Sequence, residues 1–225
     1  MSITVPDVDL VSFIPINETR LQDILDRIKR THILVLGDYC LDIYWFVESA
    51  RSERSLETGL MTNPVYEQRY SLGGAGNVVN NLVDAGCRNV RALGVIGDDP
   101  WGHEMIRLLQ QIGVNTGDVL VQKEGWATLA YNKPHIQKKE SSRFDFGNFN
   151  ELSSRSARAL LERCRARIPE ADAIIVNQQV RQGIHTQEFR DGRRPDQGIP
   201  REELHRRQPA FQRVLFRRLY EDQRS

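Results

Sequence analysis

Ile33-Leu34-Val35-Leu36-Gly37-Asp38-Tyr39-Cys40-Leu41-Asp42 is the stretch on which the fold turns. Four aliphatic residues in a row that end at a glycine describe a strand buried on both faces. Strands of that kind belong to parallel sheets covered by helices. Asp38 and Asp42 follow the run. Ligands of open α/β sheets bind at the carboxyl ends of the strands, and a carboxylate placed there can accept hydrogen bonds from two adjacent sugar hydroxyls. A plainer reading also fits, in which Asp38 caps a turn and Asp42 is solvated.

Working outward, Leu21, Ile24, Leu25 and Ile28 recur at helical spacing behind Asn17, which predicts a capped helix over 17–30. Residues 44–72 mix aromatic and polar types and contain Gly59 and Pro64, so irregular strands and a flap outside the main sheet are expected. Helices are expected at 77–85, 101–112 and 153–168, with Gly86 and Gly113 closing the first two. Strands are expected at 90–96, 119–121, 127–131, about 136–144 and 173–176. Strands alternating with helices argue an α/β domain with a largely parallel sheet flanked by helices.

Ser71-Leu72-Gly73-Gly74-Ala75-Gly76-Asn77 lets a backbone approach a ligand closely at the start of a helix, or else is a tight loop-to-helix connection. No third glycine completes a dinucleotide fingerprint and no Lys-Ser/Thr completes a P-loop. In Gly94-Val95-Ile96-Gly97-Asp98-Asp99-Pro100, Asp98 or Asp99 is suited to cap the next helix. In Lys138-Lys139-Glu140-Ser141-Ser142-Arg143-Phe144-Asp145, the charges read as a solvated strand face, or Arg143 binds a substrate phosphate bidentately. The five histidines show no metal-ligand spacing, and no nucleophile–base pair stands out.

The 225 residues carry 31 Lys and Arg against 30 Asp and Glu, a formal charge of +1, which gives no global pull toward nucleic acid or membrane. Cys40, Cys87 and Cys164 are widely spaced and odd in number, so neither a disulfide framework nor a Cys-based zinc site is expected and a reducing cytoplasm is. No apolar run is long enough to cross a bilayer, and the first residues lack the apolar core of a secretory signal. The average hides a shift: residues 1–189 carry −3, while residues 190–225 carry +4 with ten Arg and no Lys. A boundary is therefore placed near 189. The organisation expected is a helical extension over 1–31, an α/β domain over 32–189 with a lid over about 44–72, and an Arg-rich tail over 190–225 that does not pack with the domain.

Taken in this order, the pieces resemble the N-terminal part of a PfkB/ribokinase-family carbohydrate kinase, with the heptose-phosphate kinase group the nearest in flavour. The residues that carry the resemblance are Gly-Asp-x-x-x-Asp at 37–42, Gly-Gly-Ala-Gly-Asn at 73–77, Gly86, Gly-Val-Ile-Gly-Asp-Asp at 94–99 and the stretch from 137 to 145. The gap between Gly86 and Gly97 is one residue wider than the family's usual pattern. The resemblance implies a ribokinase-like fold with a small β lid, and transfer of the ATP γ-phosphate to a sugar hydroxyl with Mg2+. It implies that Asp42 holds sugar hydroxyls, that Gly73, Gly74 and Asn77 line the same pocket, and that Arg143 and Asn177 lie near sugar or phosphate. It also implies a sugar or sugar-phosphate substrate, a homodimer formed through the lid, and no nucleic-acid or membrane partner.

Two departures stand beside it. Gln178-Gln179-Val180-Arg181-Gln182-Gly183 replaces the more usual acidic and lysine-bearing pattern. The family's second signature, a Gly-Ala-Gly-Asp turn that supplies the general base and a phosphate cradle, is not found here: Gly183, Gly192 and Gly198 are the only glycines after 150. The expectation is a chain lacking the C-terminal catalytic half, inactive by itself, with no catalytic residue assigned and a tail of the kind an out-of-frame translation gives. The alternative is a non-catalytic sugar-binding or interaction protein, or the product of a disrupted gene.

Overall fold

The structure, a computed structural model, describes residues 16–180 and 183–184. The expected tail over 190–225 and the first 15 residues of the N-terminal extension lie outside them. Helix α1 (Glu18–Ile28) opens the described chain, with the Asn17 side chain accepting the Arg20 N–H at 2.8 Å. Strand β1 (His32–Gly37) then enters the interior. It is the middle strand of a parallel three-stranded sheet, flanked by β4 (Asn89–Leu93) on one side and β10 (Ala173–Asn177) on the other.

The apolar run of β1 is continuous because both its faces are covered. Ile33 and Val35 join a core packed with α2 (Ala75–Asp84) and α3 (Pro100–Gln111). Leu34 and Leu36 point the other way, into a cluster with Leu160, Leu161 and Cys164 of α4 (Ser154–Arg167). Each such fully buried aliphatic side chain is worth about 1.5–3 kcal/mol. The expected strand over 90–96 is broken at Gly94 into β4 and β5 (Val95–Gly97), and β5 pairs in parallel with β6 (Leu120–Gln122). Only a glycine fits at the break: a Cβ at 94 would lie 2.6 Å from the ring of the fully buried Tyr39.

Residues 44–72 are more regular than expected. A single residue, Asp38, separates β1 from β2 (Tyr39–Val47), which runs antiparallel to β3 (Val65–Gly74) and parallel to β7 (Leu129–Ile136). The short strands β8 (Lys139–Glu140) and β9 (Phe144–Phe146) pair with the far side of β7 and complete this second sheet, the small β lid. Asp42 is therefore the fourth residue of a strand of the lid, not at the carboxyl end of β1. The chain crosses from one sheet to the other without a loop, which brings that carboxylate off the main sheet.

Candidate functional site

The site is built where the two sheets meet. Asp38 is almost completely buried, and its carboxylate accepts three backbone N–H groups: Ile184 at 2.8 Å on one oxygen, Gln179 at 2.9 Å and Val180 at 3.2 Å on the other. It ties the carboxyl end of β1 to the segment after β10. Asn177, in register with Gly37, ends β10 at the same edge, and a Cβ at Gly37 would meet the Asn177 carbonyl at 2.6 Å and the Ala75 Cβ at 2.8 Å. Ala75, the first residue of α2, donates its N–H to the Asp38 carbonyl at 2.9 Å.

Helix α2 starts two residues earlier than the sequence suggests, because Gly73 and Gly74 are the last residues of β3. Gly74 makes the turn with φ +56° and ψ −128°, a conformation essentially confined to glycine, and a Cβ there would collide with the Asp38 carbonyl. Gly73 lies opposite Cys40, and a Cβ at 73 would sit 3.1 Å from Asp42 Oδ2.

Side chains alternate along the lid strands, so Asp42 and Tyr44 of β2 share a face with their register partners Tyr131 and Lys133 of β7. Lys133 Nζ lies 2.8 Å from Asp42 Oδ1 and 5.2 Å from the centre of the Tyr44 ring. Burial opposes the charge on Lys133, but the hydrogen bond and charge of Asp42 prevail, so its pKa is raised. The Arg143 guanidinium lies over the Tyr131 ring at 4.6 Å and grips Asp145 through Nε at 2.5 Å and Nη2 at 2.8 Å. The hydrogen bond to Asp145 raises the Arg143 pKa against the effect of burial, and the charges of Asp145 and Asp42 add to it. Cys40 lies at the base of this face, and burial first, then the charge of Asp38, pushes its thiol up to about 12.

Asp42, Gly73 and Arg143 thus come together on one face of the lid, with Gly74 at its foot. Asn177 reaches the same edge through Gly37, and Asn77 stands exposed in the first turn of α2. Tyr131 and Lys133 were not legible as site residues. The alternation Tyr131, Lys133, His135 carries the signal, but Pro134 argues against a strand there. The structure admits that proline because it falls between the stretch of β7 paired with β9, Ala130–Asn132, and the stretch paired with β8 at His135 and Ile136.

Asp99, rather than Asp98, caps α3: it accepts the Gly102 N–H at 2.7 Å and the Thr128 N–H at 2.8 Å, while the Thr128 hydroxyl accepts the Gly97 N–H at 2.9 Å. Among the described residues no cluster of His, Cys, Asp and Glu comes together as a metal site and no helix is long and apolar enough to cross a membrane.

The chain is 32% identical over 160 residues to the bifunctional protein HldE of Sulfurimonas denitrificans, covering 71% of this chain and 32% of that one. It is 38% identical over 104 residues to the D-beta-D-heptose 7-phosphate kinase of Bordetella bronchiseptica, covering 46% and 32%. Among solved structures it is similar to a putative sugar kinase from Clostridium perfringens, with a TM-score of 0.49 and 19% identity over 64% of this chain and 43% of that one. The chain spans about a third of the length of these curated relatives. Residues 30–182 match the model of the pfkB family carbohydrate kinases, and the chain belongs to that family.

Proposed function

We propose that this chain forms the acceptor-sugar site of an ATP-dependent carbohydrate kinase whose acceptor is a sugar phosphate of the heptose type. The observation that carries the reading is the face shared by Asp42, Lys133, Tyr131 and Arg143 over the glycine turn at 73–74. Asp42 is the carboxylate for sugar hydroxyls, and Gly73 and Gly74 let the sugar approach the backbone. Asn77 and Asn177 line the edge below, and Arg143 closes the side of the pocket. One relative, named a D-beta-D-heptose 7-phosphate kinase, supports the choice of acceptor.

Kinases of this family use ATP. The 225 residues contain no Gly-Ala-Gly-Asp turn. The proposal is therefore that this chain binds the acceptor without transferring phosphate by itself. Association of two copies through the lid belongs to the same reading: its outer loop and β3 expose Leu56, Leu60, Met61 and Tyr66. A coupled ATP-turnover assay with heptose 7-phosphate, run beside a binding titration, tests the reading. Binding without turnover is expected. Turnover would show that the chain is a complete kinase, and absence of binding would remove the acceptor site.

A further inference from the structure

Three cations lie on or beside the polar face of the lid, and two of them are committed. Arg143 spends both arms of its guanidinium on Asp145. Arg69 is held by Glu67 at 2.6 Å and lies over the Phe46 ring at 4.8 Å. Lys133 differs in kind, because its partner is Asp42, the carboxylate a sugar would engage.

The geometry divides the two oxygens of Asp42. Oδ1 takes the Lys133 ammonium, and both side chains are about one-fifth exposed, at 19% for Lys133 and 20% for Asp42. Oδ2 faces Gly73, where the missing side chain leaves room that a Cβ at 3.1 Å would crowd. An ammonium has three N–H donors, and Asp42 uses one. The Tyr44 ring lies beside the lysine head at 5.2 Å. A ligand can then meet an open carboxylate oxygen and a cation with donors to spare, side by side, without breaking the ion pair.

We propose that Lys133 is the specificity-determining residue of this site: it takes an anionic substituent of the acceptor while Asp42 Oδ2 takes a hydroxyl, so that a sugar phosphate binds in preference to the neutral sugar. The assignment rests on the acceptor-site reading above. A neutral sugar gains only the contact with Asp42 Oδ2. A phosphorylated sugar gains a charge-assisted hydrogen bond as well.

The test is calorimetric titration of the full 225-residue chain with heptose 7-phosphate and with the same heptose lacking the phosphate, at one ionic strength. The wild type should bind the phosphate form roughly 10- to 100-fold more tightly, the span a charge-assisted hydrogen bond gives. Lys133→Met should bring the two affinities within about threefold of each other, and Lys133→Arg should restore most of the preference. Equal affinities in the wild type, with both ligands binding, would overturn the assignment and leave the acceptor site standing. Failure of both to bind would count against the acceptor site itself and remove the assignment with it. A preference that survives Lys133→Met but vanishes in Arg143→Gln would move the role to Arg143. Should Lys133→Met not fold, acetylation of wild-type lysines mapped by mass spectrometry decides the matter. Heptose 7-phosphate should shield Lys133 more than heptose does, and equal shielding would overturn the proposal.

Discussion

Asp38 Oδ1 accepts the Ile184 backbone N–H at 2.8 Å, joining residues 146 positions apart at the edge where the two sheets meet. Asp38 sits directly after the central strand, and Ile184 is fully buried in the cluster beneath α4. One carboxylate therefore fixes where the chain goes after β10, and so holds the floor on which the lid face stands.

Asp38→Ala should destabilise the chain by about 1–3 kcal/mol, the cost of leaving one buried donor, the Ile184 N–H, without its acceptor, while the partly buried Gln179 and Val180 N–H groups can turn to water. Denaturant unfolding followed by circular dichroism measures this. An unchanged midpoint would mean that the segment after β10 is not held by Asp38.

Gly74→Ala should cost about 2 kcal/mol or more, since a non-glycine residue in this backbone region is strained by about 1–3 kcal/mol before any clash is counted. Gly86, also at positive φ but with nothing within 4 Å of a built Cβ, is the control. Gly86→Ala should be the milder of the two in the same unfolding experiment, and the reverse order would contradict the packing of Gly74 on the Asp38 carbonyl.

Asp99→Ala should lower stability by about 1–2 kcal/mol, the usual value of a lost helix cap, with the Thr128 N–H losing its acceptor as well. Asp98→Ala should change the unfolding midpoint little, because Asp98 makes only longer ion pairs of 3.6 Å with His103 and Lys123.

How far these features were legible differs from residue to residue. The run from Ile33 to Leu36 announced a doubly covered strand because nothing polar interrupts it. The capped start of α1 followed from Asn17 in the same local way. The start of α2 was placed two residues late, since only the contact of Gly74 with Asp38 shows that the glycines belong to β3. Asp42 was legible by motif, but its place inside β2 was not, because the crossing from sheet to sheet takes one residue. Lys133 escaped because Pro134 masks the strand. Asp38 read as a local turn cap because its partners lie 141 to 146 positions away.

Alkaline pH should destabilise the fold partly through Cys40. Its folded pKa of about 12 lies above the unfolded value of about 8.5–9. A group raised in this way contributes stability that is fully present below the unfolded pKa and is lost as pH climbs toward the folded one. Unfolding free energy should thus fall between pH about 9 and about 12. Cys40→Ala should flatten part of that fall, and an identical pH profile in the variant would contradict it. The burial-raised hydroxyls of Tyr39 and Tyr131 act in the same direction at still higher pH.

The central claim is that the lid face around Asp42 is an acceptor-sugar site, and the most direct test is calorimetric titration of heptose 7-phosphate into the wild type and into Asp42→Ala. Saturable binding is predicted for the wild type, weakened by about one to two decades in the variant, since a charge-assisted hydrogen bond is worth about 1.5–3 kcal/mol. Equal affinity in the two proteins, with both folded by circular dichroism, would contradict the account.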